Sequence, residues 1–298
     1  MMRPVESRQL IRRRGLVLAW ILILGVATVA QRGPQRAAAN PRAAAPIDIT
    51  GNWVSVVSED WLQRMLMPPR GDYAGVPLNL EGRRVANSWE PAKSALDGCK
   101  PFGAAAIMRV PGRLRITWEN DTTLKIETDA GQQTRLLYFD ASTLSTSSGP
   151  TESDVKQSRS AGSSRAKSRD DRSPRSQPSV RTWQGSSVAE WDMLQQRGGQ
   201  GAGLAPPLPR MSGSLKVVTT NLRDGYLRKN GVPYSQDTVM TEYFDRLTED
   251  GIDWLTVVTI VNDPPYLSQE FVTSTHFRRD GETAKWMPAP CEQSRGAR

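Results

Sequence analysis

Alternation of apolar and polar residues in the middle of the chain constrains the fold more than any other feature. Every second side chain is apolar in residues 113–119. Because successive side chains of a β-strand point to opposite faces, this spacing predicts a strand with one buried and one solvent-facing side. Turns at 120–121 and 130–131 separate this run from extended runs at 124–127 and 134–139. Together these segments predict a three-stranded antiparallel meander.

Similar patterns recur on both sides of the meander, with short turns between the runs. The pairs at 230–231 and 250–251, Asn-Gly and Asp-Gly, are hairpin signals. Residues 80–89 predict one short helix in which Leu80, Arg84 and Val85 share one face, with Trp89 one turn further on. Further strands are expected at 51–57, 183–191, 215–221, 239–247, 254–261 and 271–278. The expected fold class is therefore mainly β, an antiparallel up-and-down barrel or a strongly curved sheet of eight or nine strands.

Residues 1–30 predict a signal peptide or an N-terminal membrane anchor. Three arginines at 12–14 precede an uncharged apolar run at 15–30, and small residues place the cleavage point after Ala30. As a helix the run is about 24 Å long, somewhat less than the roughly 30 Å hydrocarbon core, so retention as an anchor stays open. We expect an exported protein in the periplasm or at the surface of a bacterium. It is either released there or tethered to the inner membrane through this run.

Composition divides the remainder of the chain into folded and unfolded stretches. Residues 31–46 are a Pro/Ala-rich tether. Residues 140–182 are rich in Ser and Arg and nearly free of apolar side chains, so they predict a disordered insert that cannot offset its ordering entropy. The two parts of one β domain are expected at 47–139 and 183–292, with a Gly/Pro-rich linker at 198–213 inside the second part.

The net charge of +8 invites a nucleic-acid-binding interpretation, but the distribution of the charge argues against it. Residues 1–14 carry five arginines against one glutamate, and residues 151–182 carry eight basic against four acidic side chains. These two segments account for the whole excess. A nucleic-acid-binding domain is expected to carry its basic residues on a folded face. We therefore expect no nucleic-acid partner, and membrane contact only through the N-terminal segment.

Cys99 and Cys291 are the two cysteines of the chain. In an exported protein an even pair is most simply a structural disulfide. Such a bridge would close a loop of nearly two hundred residues, for which the chain-entropy relation predicts about 4–5 kcal/mol. A reactive thiol pair is the alternative, although the chain has no Cys-x-x-Cys motif and no histidine beside either cysteine.

Catalytic signatures are sparse. His276 is the single histidine, and no Gly-x-Ser-x-Gly elbow accompanies it. Adjacent acids at 59–60 and 249–250 would serve glycoside hydrolysis only if the fold set two carboxylates roughly 5–9 Å apart. One histidine and two cysteines are too few for the usual transition-metal sites, so we expect no metal and no cofactor. A hydrolase of envelope polymers that uses acidic residues or His276 is the first alternative function.

Tryptophans in or beside the predicted strands support the leading functional hypothesis. Their plainer interpretation is a filled barrel core, but an aromatic cavity with a few polar groups is typical of a small-molecule pocket. The candidate ligand-binding residues are Trp53, Trp118, Arg115, Glu242 and Trp254. We expect non-enzymatic binding of a small apolar or amphipathic ligand, and leave the oligomeric state open. A structural or assembly protein of the envelope, the second alternative, would instead show a filled barrel and an apolar outer patch.

Seven short segments share their order and spacing with a known group of proteins. They are residues 80–84, 99–103, 185–191, 215–220, 241–244, 258–264 and 291–292. On these segments the chain resembles an uncharacterised family of exported bacterial β-rich proteins across roughly residues 50–292. The resemblance implies a signal peptide, a β-rich fold and a late cysteine, and it implies no known activity. After Trp191 the chain departs from the Glu-Gly-Asp that many members carry.

A second set of short motifs points to a barrel family. Gly51-x-Trp53 is similar to the first lipocalin motif, and residues 241–243 are similar to the second. Arg278 or Arg279 follows the last predicted strand, where a lipocalin arginine packs on the tryptophan. The chain thus resembles lipocalin-like barrels. The resemblance implies contact between one of these arginines and Trp53.

Overall fold

The computed structural model describes residues 40–58, 61–94, 98–143, 180–193, 213–281 and 285–291. The predicted signal segment, the Ala30 cleavage point, and most of the insert and linker lie outside these residues. Nowhere in the described ranges is a helix long and apolar enough to cross a membrane.

The described residues form thirteen strands and five short helical segments. The strands are β1 Gly51–Val56, β2 Arg113–Asn120, β3 Thr123–Thr128, β4 Ala130–Gly131, β5 Thr134–Tyr138, β6 Ser186–Met193, β7 Gly213–Thr220, β8 Gly225–Arg228, β9 Val232–Tyr234, β10 Val239–Glu249, β11 Ile252–Asn262, β12 Phe271–Arg279 and β13 Ala289–Pro290. The helices are α1 Trp61–Arg64, α2 Leu80–Asn87, α3 Pro91–Ser94 and α4 Ala104–Ile107, with a 3-10 turn at Lys100–Phe102.

Nine strands close into a barrel. Each barrel strand pairs with the barrel strand that precedes it and the one that follows it along the chain. The order is β1-β2-β3-β5-β6-β7-β10-β11-β12, and β12 pairs with β1. Eight pairings are antiparallel, and the β5–β6 pairing is parallel. An odd number of strands requires this, because directions that alternate around a closed ring must repeat once. The expected mainly β barrel is confirmed, with one parallel seam that an entirely antiparallel meander lacks.

The parallel seam, the pairing of β5 with β6, joins fewer residue pairs than any other pairing in the barrel wall. Within the described part of the chain, Leu137 pairs with Ser187 and Tyr138 pairs with Val188, whereas eleven pairs join β10 to β11. A connection between parallel neighbours must cross from one end of the barrel to the other. The predicted insert at 140–182 lies in the chain between these two strands.

Inward-facing side chains fill the barrel. On β2, Leu114 and Ile116 are buried while Arg113 and Arg115 face outward, as the alternation predicted. The buried core draws on every strand of the wall, and its largest aromatic members include Phe244. Complete burial of an apolar side chain of this size stabilises a fold by roughly 1.5–3 kcal/mol. The interior of this barrel is therefore a packed hydrophobic core.

A buried tryptophan closes the end of the barrel at Gly51, here called the lower end. The Trp53 indole donates a hydrogen bond to the Ile49 carbonyl at 2.9 Å, and the Arg279 guanidinium lies 4.4 Å from the ring centre. Arg279 Nη1 donates to the Thr50 carbonyl at 3.0 Å. Gly51 has φ +124°, and a Cβ there would collide with Arg279 Nη1. The arginine–tryptophan contact implied by the lipocalin resemblance is thus made by Arg279.

The opposite, upper end carries a cap with its own apolar core. The cap comprises α2, α4, the β8–β9 hairpin and their connections, and Leu78, Ala86, Leu227 and Tyr234 are buried within it. The Asn-Gly pair at 230–231 forms the predicted hairpin turn. This cap covers the end of the barrel opposite Trp53.

A disulfide fastens the cap to the barrel rim. Cys99 is bonded to Cys291 with 5.0 Å between their Cα atoms, which confirms the predicted pair. The backbone N–H of Cys291 donates to the Gly131 carbonyl, and β13 pairs with β4. The C-terminal segment is therefore held against both the barrel rim and the start of the cap.

The predicted helix is present as α2, but the face predicted from Leu80, Arg84 and Val85 is not its buried face. Leu80 is 88% exposed, and the buried positions are Gly82 and Ala86. Asn79 caps the helix by accepting the Gly82 N–H at 2.8 Å. A Cβ on Gly82 would collide with the Tyr266 carbonyl, so the backbone of α2 approaches a neighbouring loop directly. Hydrophobicity did not reveal this face because a glycine makes the contact.

Candidate functional site

The five candidate ligand-binding residues occupy three different places. Glu242 lies in the barrel interior and Trp53 at the lower end, both fully buried. Trp118 is half-buried and stacks on the Phe139 ring at a centroid distance of 5.6 Å. Arg115 and Trp254 lie on the outer face of the wall. No single cavity brings these residues together among the described parts of the chain.

The outward positions of Arg115 and Trp254 follow from the register of their strands. The Arg115 guanidinium lies 4.5 Å from the ring centre of Trp286, outside the wall. Trp254 alternates with the fully buried Leu255 and is paired in register with Arg278. Both predicted residues therefore cover the barrel exterior.

A polar cluster on four adjacent strands surrounds Glu242. Its carboxylate oxygen Oε2 accepts from Arg135 Nη2 at 2.7 Å. The same Nη2 donates to Thr219 Oγ1 at 3.1 Å and lies 3.5 Å from Ser187 Oγ, and the two hydroxyl oxygens are 2.8 Å apart. These four residues lie on β5, β6, β7 and β10, so Arg135 reaches across the short parallel seam. Sequence reasoning missed Arg135, although its position two residues before the inward Leu137 marks it as inward-facing.

The Arg135–Glu242 ion pair is shut inside the core. Its two side chains are 2% and 0% exposed. Arg135 Nε, Arg135 Nη1 and Glu242 Oε1 have no hydrogen-bond partner among the described atoms and are shielded from solvent. Such a pair is costly to desolvate, and removal of one partner leaves a buried unpaired charge. The packing around these three atoms leaves no room for a ligand beside them.

The residues considered for hydrolysis are dispersed. His276 lies on β12 between Val56 and Thr256, on the outward side of the strand. Glu249 and Asp250 lie at the exposed turn between β10 and β11. The acids at 59–60 lie outside the described residues. The described part of the chain contains no group of three His, Cys, Asp or Glu side chains able to hold a metal ion.

A groove of about 250 Å³ opens beside the cap, and we call it the upper groove. Its walls are the segment after β1, the 3-10 turn, α4 and the β8–β9 hairpin. It is lined by Gln63, Arg64, Met65, Leu66, Met67, Pro68, Pro101, Ala106, Arg109, Val110, Leu227, Arg228 and Lys229. The groove therefore combines flexible apolar side chains with four cationic ones.

An exposed apolar patch continues the groove over the protein surface. Its members, Trp61, Leu62, Met65, Leu66 and Met67, are each between 51% and 59% exposed. A cluster of large apolar side chains on a soluble surface commonly marks an interaction or ligand site. Methionine suits such a site because its unbranched, polarizable side chain adapts to differently shaped partners.

Buried arginines hold the groove walls in place. Arg64 Nη1 donates to the Val56 carbonyl at 2.7 Å, and this bond holds the segment that carries the apolar patch against the upper end of β1. Arg228 Nη1 donates to the Ala74 carbonyl at 2.7 Å and joins the hairpin to the cap. Lys229, by contrast, is exposed, and its ammonium lies 5.8 Å from the Phe102 ring centre. Sequence reasoning missed this site, because residues 61–67 show neither strand alternation nor a turn signal.

In comparisons with known proteins, no protein-family model, no curated protein and no solved structure matches this chain. The two resemblances therefore stay sequence-level hypotheses. The chemistry of the upper groove and of the interior pair is the basis for a functional conclusion.

Proposed function

We propose that this protein is exported, that it binds a small amphipathic ligand without catalysis, and that the ligand occupies the upper groove. The observation that carries the proposal is the union of Met65, Leu66 and Met67 with cationic side chains around one open groove. Apolar contacts would hold the hydrocarbon part of the ligand, and the polar lining would fix its orientation, as in most small-molecule sites.

The proposal moves the expected ligand from the barrel interior to its capped end. Inside the barrel, the apolar side chains already contact one another, and the open hydrogen-bonding atoms of Arg135 and Glu242 are shielded. At the groove, apolar side chains are half exposed and gain contacts when a ligand covers them. Each buried methylene contributes roughly 0.8 kcal/mol to such binding.

The experiment pairs native mass spectrometry with ligand titration. Protein recovered from the envelope of its producing cell is expected to carry a discrete extra mass that disappears on denaturation. The same spectrum tests export, because removal of residues 1–30 lowers the polypeptide mass accordingly. Titration with 12-carbon amphiphiles in solution then measures affinity by calorimetry.

Paired serine substitutions assign the site. Met65→Ser combined with Met67→Ser is expected to weaken binding at least tenfold, a change of about 1.4 kcal/mol. Leu247→Ser combined with Val272→Ser is the matched control, because these side chains are 49% and 55% exposed outside the groove. Equal losses in the two variants, or no binding of any amphiphile by the parent protein, would contradict the proposal.

A role in envelope assembly is the second candidate, and the packed barrel with an outer apolar patch favours it. In that case the patch would contact another protein and the groove would not hold a small molecule. Sedimentation velocity over a hundredfold range of protein concentration tests self-assembly. Association that is lost in the Met65→Ser/Met67→Ser variant, without small-molecule binding by the parent, would favour assembly.

A further inference from the structure

We infer that the ligand of the upper groove is an amphipathic anion, with its charged group beside Lys229 and its hydrocarbon chain over Met65 and Met67. This inference rests on the proposed function and adds the charge and the orientation of the ligand. It follows from the unequal distribution of charge and apolar surface around the groove.

The lining is strongly biased toward positive charge. Of its thirteen described residues, four are cationic (Arg64, Arg109, Arg228 and Lys229) and none is acidic. Two acids precede the patch at 59–60, outside the described residues, and the described lining itself carries charge of one sign. A recess lined by one sign of charge concentrates ions of the opposite sign.

The four cations have different positions and therefore different roles. The guanidinium groups of Arg64 and Arg228 donate to backbone carbonyls inside the fold, so both side chains are held in fixed positions in the groove wall. Lys229 is exposed and extends from the tip of the β8–β9 hairpin. Its ammonium is a compact charge with three donors on a flexible stem, which suits contact with the oxygens of an anionic group.

The exposed apolar side chains of the lining come from the segment after β1, whereas Lys229 belongs to the β8–β9 hairpin. Met65, Leu66 and Met67 line the groove and are also half exposed on the surface beyond it. A volume of about 250 Å³ is smaller than a typical drug-sized pocket, so a long chain would leave the groove and continue over the patch. A carboxylate, sulfate or phosphate head group on a single alkyl chain has the matching form.

The test is a calorimetric titration with three ligands that share one 12-carbon chain: dodecanoate, 1-dodecanol and dodecylammonium, each below its self-association concentration. We expect dodecanoate to bind at least tenfold more tightly than dodecanol, and dodecylammonium to bind most weakly. Raising NaCl from 20 to 500 mM should weaken dodecanoate binding and leave dodecanol binding unchanged, because salt screens exposed charge interactions.

Two lysine variants locate the charged contact. Lys229→Gln should lower the dodecanoate affinity to that of dodecanol, with no change for dodecanol itself. Lys285→Gln, at another exposed lysine outside the groove lining, is the matched control and should leave all affinities unchanged. Because both side chains are exposed, both variants are expected to fold.

The outcomes separate this inference from the proposed function. If dodecanol and dodecanoate bind equally, the groove is an amphiphile site without charge selection, and the anion inference is overturned. If none of the three ligands binds, the proposed function itself fails. Inorganic phosphate is titrated as a fourth ligand, and if it binds as tightly as dodecanoate, the alkyl chain contributes nothing and the amphipathic character of the ligand is overturned.

Discussion

The two ends of the barrel use large apolar side chains in opposite ways. At the lower end, Trp53 is fully buried, its N–H is satisfied by Ile49, and Arg279 covers its ring. At the upper end, Trp61 is 51% exposed, with Met67 and its neighbours on the same surface. The first arrangement contributes to stability by removing apolar area from water. The second leaves apolar area available to a partner, at little benefit to the isolated fold.

The same substitution at the two ends should therefore have very different effects. Trp53→Ala removes a buried indole and leaves a cavity, so we expect a loss of about 3–5 kcal/mol in unfolding free energy. Trp61→Ala should change that free energy by less than about 0.5 kcal/mol, as is usual for exposed positions. Urea denaturation followed by circular dichroism measures both. Similar losses in the two variants would mean that the ends do not differ as described.

Between the two ends, the Arg135–Glu242 pair provides the next-largest effect. Glu242→Leu leaves the buried guanidinium of Arg135 without its anion, which should cost about 3–5 kcal/mol of unfolding free energy. In the double variant Arg135→Met/Glu242→Leu no charge remains, and most of that loss should be recovered. A double-mutant cycle from denaturation curves measures the coupling. Additive losses would show that the pair does not act as a unit.

The disulfide distinguishes the ends in another way, because it joins the cap to the upper rim of the barrel and is remote from the lower end. Reduction, or the Cys99→Ser/Cys291→Ser variant, should lower the unfolding free energy by about 2–4 kcal/mol, which is less than the chain-entropy relation gives because measured losses often fall short of it. Hydrogen exchange should increase mainly in the cap around Leu227 and Tyr234, while β1 near Trp53 keeps its protection. The serine variant must be insensitive to added reductant. Uniform loss of protection would mean that cap and barrel unfold together.

Local pattern predicted most of the wall and little of the site. Period-two alternation was sufficient to predict β2 and β3, and the Asp-Gly turn was sufficient to predict the β10–β11 hairpin. Both features depend only on residues that are close together in the sequence. The parallel seam depends on the strand count, which follows only once the barrel is known to be closed. The inward position of Arg135 could have been deduced from Leu137, but the charge at this residue argued for the outside.

The upper groove could not be predicted, because its walls come from separate parts of the chain. Met65 follows β1, Ala106 belongs to α4, and Lys229 lies at the tip of the β8–β9 hairpin. Their proximity depends on how the cap is placed on the barrel. The buried face of α2 could not be predicted for a similar reason. The Tyr266 carbonyl lies so close to Gly82 that only a glycine fits there, and hydrophobicity does not reveal this contact.

The smallest expected effect concerns the charges around Arg279 at the lower end. Hydrogen bonds from Thr248 and Arg246 lower the pKa of Asp253 from 3.8 to about 2. The Asp253 carboxylate also accepts from Arg279 Nε at 2.8 Å, and it thereby orients the guanidinium over Trp53. Because the folded-state pKa lies below the unfolded one, this stabilisation is fully present above about pH 4. It is lost as the pH falls toward 2.

We therefore expect Asp253→Asn to lower the unfolding free energy at pH 7 by about 1 kcal/mol, a value reduced by the solvent screening of a rim position. As the pH falls toward 2 the difference between the variant and the parent should narrow, because about half of the parent carboxylate is then protonated. Asp250→Asn, in the exposed turn of the same hairpin, is the control. It should leave the dependence of the unfolding free energy on pH between 4 and 2 unchanged. Denaturation curves at pH 7, 4, 3 and 2 make the comparison. A constant difference in unfolding free energy between Asp253→Asn and the parent across this range would show that Asp253 acts through the geometry of its hydrogen bonds. Its charge would then have no part in holding Arg279 on Trp53.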